Sequence, residues 1–184
     1  GKCEGCGEWN TLAEEVVSSK SKKEQGRPLL EIVPLKGESD IPERICSGIQ
    51  EFDRVCGGGL VPGSVLLVGG DPGIGKSTLL LQVASRLSQK TPCLYISGEE
   101  GVDQIRLRAL RMGVHDAPVQ LASTSCVQDI VESLGHQSKA KFIVIDSIQT
   151  MFHSQIESSP GSVSQIRGCA TELLRFAKDS GCPV

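Results

Sequence analysis

GDPGIGKS, residues 70–77, fits the spacing Gly-x-x-x-x-Gly-Lys-Ser/Thr. That pattern suits one kind of chemistry. Gly70, Gly73 and Gly75 let the backbone curl until its N–H groups face a triphosphate, with Asp71, Pro72 and Ile74 between them. The helix that must follow adds partial positive charge at the same point. Lys76 offers a point charge to the β- and γ-phosphates, and Ser77 offers its hydroxyl to Mg2+. The run Gly70–Thr78 is therefore expected to bind ATP with Mg2+. A dinucleotide fingerprint fails here, because Thr78 stands where its third glycine should be.

Two further acidic sites belong with that loop. KFIVID (141–146) is an apolar run ending in a carboxylate. Asp146 at the C-terminal end of a buried strand would stand beside the phosphate loop, on the Mg2+ side. YISGEE places Glu99 and Glu100 just past another strand, at the same sheet edge. A hydrolytic step needs one carboxylate to orient or deprotonate water. Spacing alone does not choose between the two, and a solvated surface pair is the alternative.

GKCEGCGEWN, at the start, raises a different chemistry. Cys3 and Cys6 are spaced as half of a tetrahedral zinc site, which needs four ligands. The next cysteine, Cys46, has no close partner in sequence. Either there is no zinc site, or Cys3 and Cys6 are half of one. Trp9 is expected to pack against this knuckle.

These groups need elements to hold them. Residues 1–12 read as the knuckle and 13–40 as a linker, polar and charged through SSKSKKEQGRP and punctuated by Pro28 and Pro34. The folded core is expected over 41–184. SVLLV (64–68), CLYIS (93–97), VQLAS (119–123) and KFIVID read as strands. Helices are expected over 77–88, over 102–112, from Ser125 with Gln128 completing a capping box, and after Ser162 with Gln165 completing another. Lys178 and Gly181 close the last helix. Apolar strands alternating with amphipathic helices predict an α/β fold, a mainly parallel sheet covered on both faces. Arg106, Arg108 and Arg111 read as a solvated helix face, and His115, His136 and His153 as surface residues without metal-ligand spacing.

The bulk composition narrows the partners. Net charge is −3 and aromatics are 3% of the 184 residues, so neither a basic surface nor a base-stacking platform is on offer. Nothing approaches the run of apolar residues that a membrane span needs, and no secretory leader is visible. The six later cysteines are scattered and read as small core hydrophobes in a reducing compartment. A chain that opens on Gly1 and stops at CPV, where a further strand is starting, is expected to be truncated at both ends.

The motifs together resemble a family. SGIQEFDRVCGGGLVPGSVLLVGGDPGIGKST, with YISGEE, RLRALRMG, VIDSIQTM and ESSPGSVSQIR behind it, is similar to the RecA-type ATPase core, here of the bacterial DNA-repair kind. The resemblance runs the length of the chain. It implies a DNA-dependent ATPase that processes recombination intermediates by branch migration, works as a homo-hexameric ring in the cytoplasm beside a recombinase partner, and acts on single-stranded and branched DNA. It implies Glu99 rather than Glu100 as the catalytic glutamate, working with Lys76. Phe152 to Gly161 would be a DNA-facing loop. Cys3 and Cys6 would be the second pair of a four-cysteine Zn2+ knuckle. The family's later motifs are not present, so hydrolysis at a normal rate is not expected of this length of chain. The rival readings are a RecA-type signalling or phosphotransfer ring that never meets DNA, and a non-hydrolysing module gated by nucleotide.

Overall fold

The computed structural model describes residues 34–36, 42–137 and 139–184. Cys3, Cys6 and Trp9, with the whole of the expected knuckle and most of the expected linker, lie outside the described residues. The chain divides into two units, Gly1–Ser39 and Asp40–Val184, and the architecture below is that of the second.

Its elements run in the order α1 (Gln50–Val55), α2 (Lys76–Leu87), β1 (Cys93–Ser97), α3 (Val102–Arg111), β2 (Gln120–Ser123), α4 (Val127–Gln137), β3 (Phe142–Asp146) and α5 (Val163–Ser180). The strands form a parallel sheet ordered β2-β1-β3, with Ser97 opposite Asp146 and Ser123. This is the predicted α/β architecture. Side chains alternate across such a sheet with a period of two. Cys93 and Tyr95 of β1, with Phe142 and Val144 of β3, pack against Phe52, Leu81, Val83, Ala84, Leu87 and Ile105 on one face. Ile96 and Ile143 face the other way, onto Val127, Ile130 and Leu134 of α4 and Cys169 and Leu173 of α5. Helices thus cover both faces, and each fully buried large apolar side chain contributes about 1.5–3 kcal/mol. The same parity decides the site. Asp146 shares a face with Phe142 and Val144, so it meets α2.

Three expectations fail. SVLLV (64–68) is not a strand. It reaches the sheet through Leu66 N–H to the Val184 carbonyl (2.8 Å) and Val184 N–H to the Ser64 carbonyl (3.0 Å), while Pro183 accepts from Ile143 N–H at 3.1 Å. Those two bonds follow the parallel pattern about Val65 and Val184, the last residue of the sequence, so the pairing extends over that one residue, and Leu67 stays 81% exposed. The helix expected from Ser125 begins at Val127, and the Gln128 amide holds His153 and Ser154. The later cysteines are not all core: Cys93, Cys169 and Cys182 are buried, but Cys46 is exposed and Cys56 and Cys126 only half-buried. Burial pushes the Cys93 thiol up to about 12 and the Cys182 thiol to about 11.

The last helix keeps its expected ends but not the full capping box, because the Gln165 side chain bonds His153, Ile156 and Ser158 instead of Ser162. Ser162 caps it, accepting from Gln165 N–H at 3.4 Å, and Gly181 ends it in the left-handed conformation at φ 68°.

Candidate nucleotide and metal site

The phosphate loop forms its turn through its glycines. Gly73 (φ 78°) and Gly75 (φ 100°) take left-handed backbone conformations, and Gly75 is the N-cap of α2. The first helical bond runs from Leu79 N–H to the Gly75 carbonyl at 2.8 Å. Ahead of it the first-turn N–H groups have no helical acceptor and are available to an anion. Lys76 Nζ donates to the carbonyls of Gly70 and Asp71, both at 2.8 Å. The loop from Gly70 to Ile74 is exposed, so a ligand reaches it from solvent.

Asp146 comes to the same place from a distant part of the sequence. Ser77 Oγ donates to Asp146 Oδ1 at 3.0 Å, and the Tyr95 hydroxyl donates to Asp146 Oδ2 at 2.5 Å. Tyr95 is fully buried; burial and then the Asp146 carboxylate push its phenol far upward, which keeps it a donor. The peptide Asp146–Ser147 is cis. Hydroxyl and carboxylate oxygens are the donor set that Mg2+ prefers, so Ser77 and Asp146 fit that metal by type and by proximity.

The two glutamates are sorted by the turn after β1. Ser97 Oγ, buried, accepts from Glu99 N–H (3.3 Å) and Glu100 N–H (2.8 Å). Gly98 N–H donates to the Asp146 carbonyl at 3.0 Å, and a Cβ at Gly98 would collide with Thr150 Oγ1. Only glycine lets the two segments come this close. From this turn Glu100 points to α3 and pairs with Arg108, whereas Glu99 is exposed.

Sequence reasoning missed Arg108. It was expected on a solvated face with Arg106 and Arg111. Arg106 is indeed exposed, paired with Asp103 at 3.0 Å. The Arg108 side chain is only 15% exposed, bonds Glu100, and sets Nη1 3.8 Å from Asp146 Oδ2. Burial pulls this guanidinium down, but Glu100, Tyr95 and Asp146 outweigh it and its pKa rises. The available signal was position: Arg108 follows the buried Ile105 by three residues and so flanks the apolar stripe. Tyr95 carried no signal that set it apart from any other strand residue.

The expected DNA-facing loop, 152–161, is held by two glutamines. Gln165, 2% exposed, accepts from His153 N–H (2.7 Å) and donates to the carbonyls of Ile156 and Ser158, both at 2.9 Å. Gln128 Nε2 lies 2.8 Å from His153 Nδ1, so His153 is a half-buried structural partner and not the free surface residue expected. Ile156 packs on α5 at Gly168, where a Cβ would strike its Cδ1.

Among the described residues no cluster of His, Cys, Asp and Glu could hold a metal by itself, and no helix is long and apolar enough to cross a membrane. A sequence profile of the AAA domain family matches residues 38–184. DNA repair protein RadA of Brucella abortus (strain 2308) is 46% identical over 197 aligned positions, covering all of this chain and 42% of that protein. The chain thus spans about two fifths of the length of that curated relative. Among solved structures, a DnaB-like replicative helicase superposes with a TM-score of 0.64 at 16% identity, covering 80% of this chain and 44% of that one. The crystal structure of the RadB recombinase does so with a TM-score of 0.54 at 25% identity, covering 76% and 67%.

Proposed function

This chain belongs to the AAA domain family, with a RadA-type, RecA-like ATPase core, and from that premise we propose that it hydrolyses ATP as part of a DNA-repair protein acting on recombination intermediates. The observation that carries the reading is the meeting of Ser77 and Asp146, 69 residues apart, at 3.0 Å beside a glycine loop carrying Lys76. In this reading Gly70–Thr78 bind the triphosphate, Lys76 neutralises its charge, and Ser77 and Asp146 hold Mg2+. When bound, Mg2+ offsets negative charge on the phosphates.

The chain's own residues do the rest. The Tyr95 hydroxyl and Ser77 fix the Asp146 carboxylate in orientation. The Ser97 turn aims Glu99 outward, and Glu99 orients and deprotonates the attacking water. Glu100 is engaged by Arg108, which favours Glu99 for the role. The name of the curated relative supports DNA repair as the setting. The finer reading extends the resemblance: hydrolysis stimulated by DNA and coupled to branch migration, a homo-hexameric ring with sites between subunits, a recombinase partner, a cytoplasmic location, and loop 152–161 toward DNA. Cys3 and Cys6 supply half of a Zn2+ knuckle in this reading.

The test is steady-state ATP hydrolysis by the protein expressed from its full reading frame, with and without single-stranded DNA. Stimulation by DNA is expected, with Lys76→Ala and Glu99→Gln each lowering the rate by about a hundredfold or more, and Glu100→Gln by far less. Hydrolysis indifferent to DNA would remove the repair motor. Tight ATP binding without turnover would remove the enzyme.

A further inference from the structure

Arg108 holds a buried donor with no acceptor at hydrogen-bond distance, beside the Tyr95 hydroxyl and the Asp146 carboxylate. Its Nη2 bonds the Glu100 carboxylate, and its Nη1 is buried with no hydrogen-bond partner, 3.8 Å from Asp146 Oδ2. Removing a guanidinium N–H from water without giving it an acceptor is unfavourable. The charges nearby explain why it stays. Asp146 and Glu100 are two carboxylates at the mouth of a site meant for a polyanion, and their sole cationic neighbour within ion-pair distance among the described residues is Arg108. Without it, a triphosphate arriving free of metal would meet uncompensated negative charge.

We propose that Arg108 is a positioning residue that balances Asp146 and Glu100 while no metal is present, so that the site accepts the nucleotide triphosphate ahead of, or without, its Mg2+. This rests on the ATP-binding reading above. Arg108 and Mg2+ then perform the same electrostatic task at Asp146, one in each state of the site. Each makes the other less necessary, and coupling between two such contributions is reciprocal.

The experiment is equilibrium binding of a fluorescent ATP analogue, first in EDTA and then at saturating Mg2+, using the protein from its full reading frame. The quantity read is the ratio of the two affinities. Arg108→Gln is expected to weaken metal-free binding about fivefold or more while barely changing binding in Mg2+. Arg108→Lys, which keeps the charge but loses the planar fork, should restore most of the metal-free affinity. Glu100→Gln removes the anion that engages Arg108 and should move the ratio the opposite way, strengthening metal-free binding. This third variant keeps the test decisive if a thermal melt shows that Arg108→Gln does not fold. A loss that is equal with and without Mg2+ would mark Arg108 as merely structural and overturn the proposal, as would an unmoved ratio in Glu100→Gln. A wild-type protein that binds no analogue under either condition would instead overturn the nucleotide reading itself.

Discussion

The phosphate loop and loop 152–161 reach defined shapes by opposite routes. In the phosphate loop the shape lies in the backbone: Gly73 and Gly75 adopt left-handed conformations, and Lys76 ties the turn to its own carbonyls at Gly70 and Asp71. In loop 152–161 the shape is imposed from outside. Gln165 on α5 and Gln128 on α4 bond its backbone and His153, and Ile156 sits against Gly168. The first loop is local and exposed, so its parts can rearrange around a ligand without disturbing the core. The second is fixed by a buried amide, so its shape and the stability of the domain are linked.

Gly73→Ala is the sharpest way to break that contrast. No atom lies within 4 Å of the added Cβ, yet the residue sits at φ 78°, so the substitution strains the backbone without a clash. Such strain amounts to about 1–3 kcal/mol. The exposed loop relaxes to escape that strain when free and must take it up again to hold nucleotide, so affinity, read by titration of a fluorescent analogue, should fall about tenfold, while the melting temperature changes little.

Gln165→Leu should do the reverse. It leaves His153 N–H and the carbonyls of Ile156 and Ser158 without their partner, at about 1–3 kcal/mol for each group that stays buried. A drop of several degrees in melting temperature is expected, with faster amide exchange over 153–158 and unchanged nucleotide affinity. If Gln165→Leu weakened nucleotide binding as much as Gly73→Ala does, the two loops would be one cooperative unit and the contrast would fail.

The smallest effect separates the core from both loops. Cys93 and Cys182 have thiols raised to about 12 and about 11 from an ordinary 9, Cys93 chiefly by burial with Cys182 adding, and Cys182 by burial. A group raised in the folded state lends stability that is fully present below its unfolded value. That stability is lost as pH climbs through the folded one. Denaturant midpoints should therefore hold up to about pH 9 and decline toward pH 12, and the decline should flatten when both residues are Ala. Alkylation near neutral pH should meanwhile mark the exposed Cys46 before Cys93, Cys169 or Cys182.

What the sequence disclosed follows the same division. GDPGIGKS was legible because every requirement for its turn is met within eight residues. Asp146 was legible because it closes an apolar run, which places it at the C-terminal end of a strand without any long-range knowledge. SVLLV is less plainly a strand, since a strand is a relation between two backbones and its parallel pairing here is with Val184 alone. Gln128 and Gln165 both looked like capping residues, which they resemble in spacing. Gln165 instead spends its side chain across the loop, and Ser162 caps α5 without it. Arg108 was hidden for the same reason: its partners, Glu100 and Asp146, lie 8 and 38 residues away and meet it only once β1, β3 and α3 are assembled.

The Lys76 ammonium group, bonded to the Gly70 and Asp71 carbonyls, has a thermodynamic consequence of its own. Lys76 is already satisfied by those carbonyls, so a phosphate that draws on it trades these two bonds, while the first-turn N–H groups add theirs. At Lys76, association is an exchange reaction. Its heat should be small for so many polar contacts, and its strength should depend on how readily two peptide carbonyls return to water. Any change that improves the grip of those carbonyls on Lys76 would therefore weaken the nucleotide while touching none of its contacts.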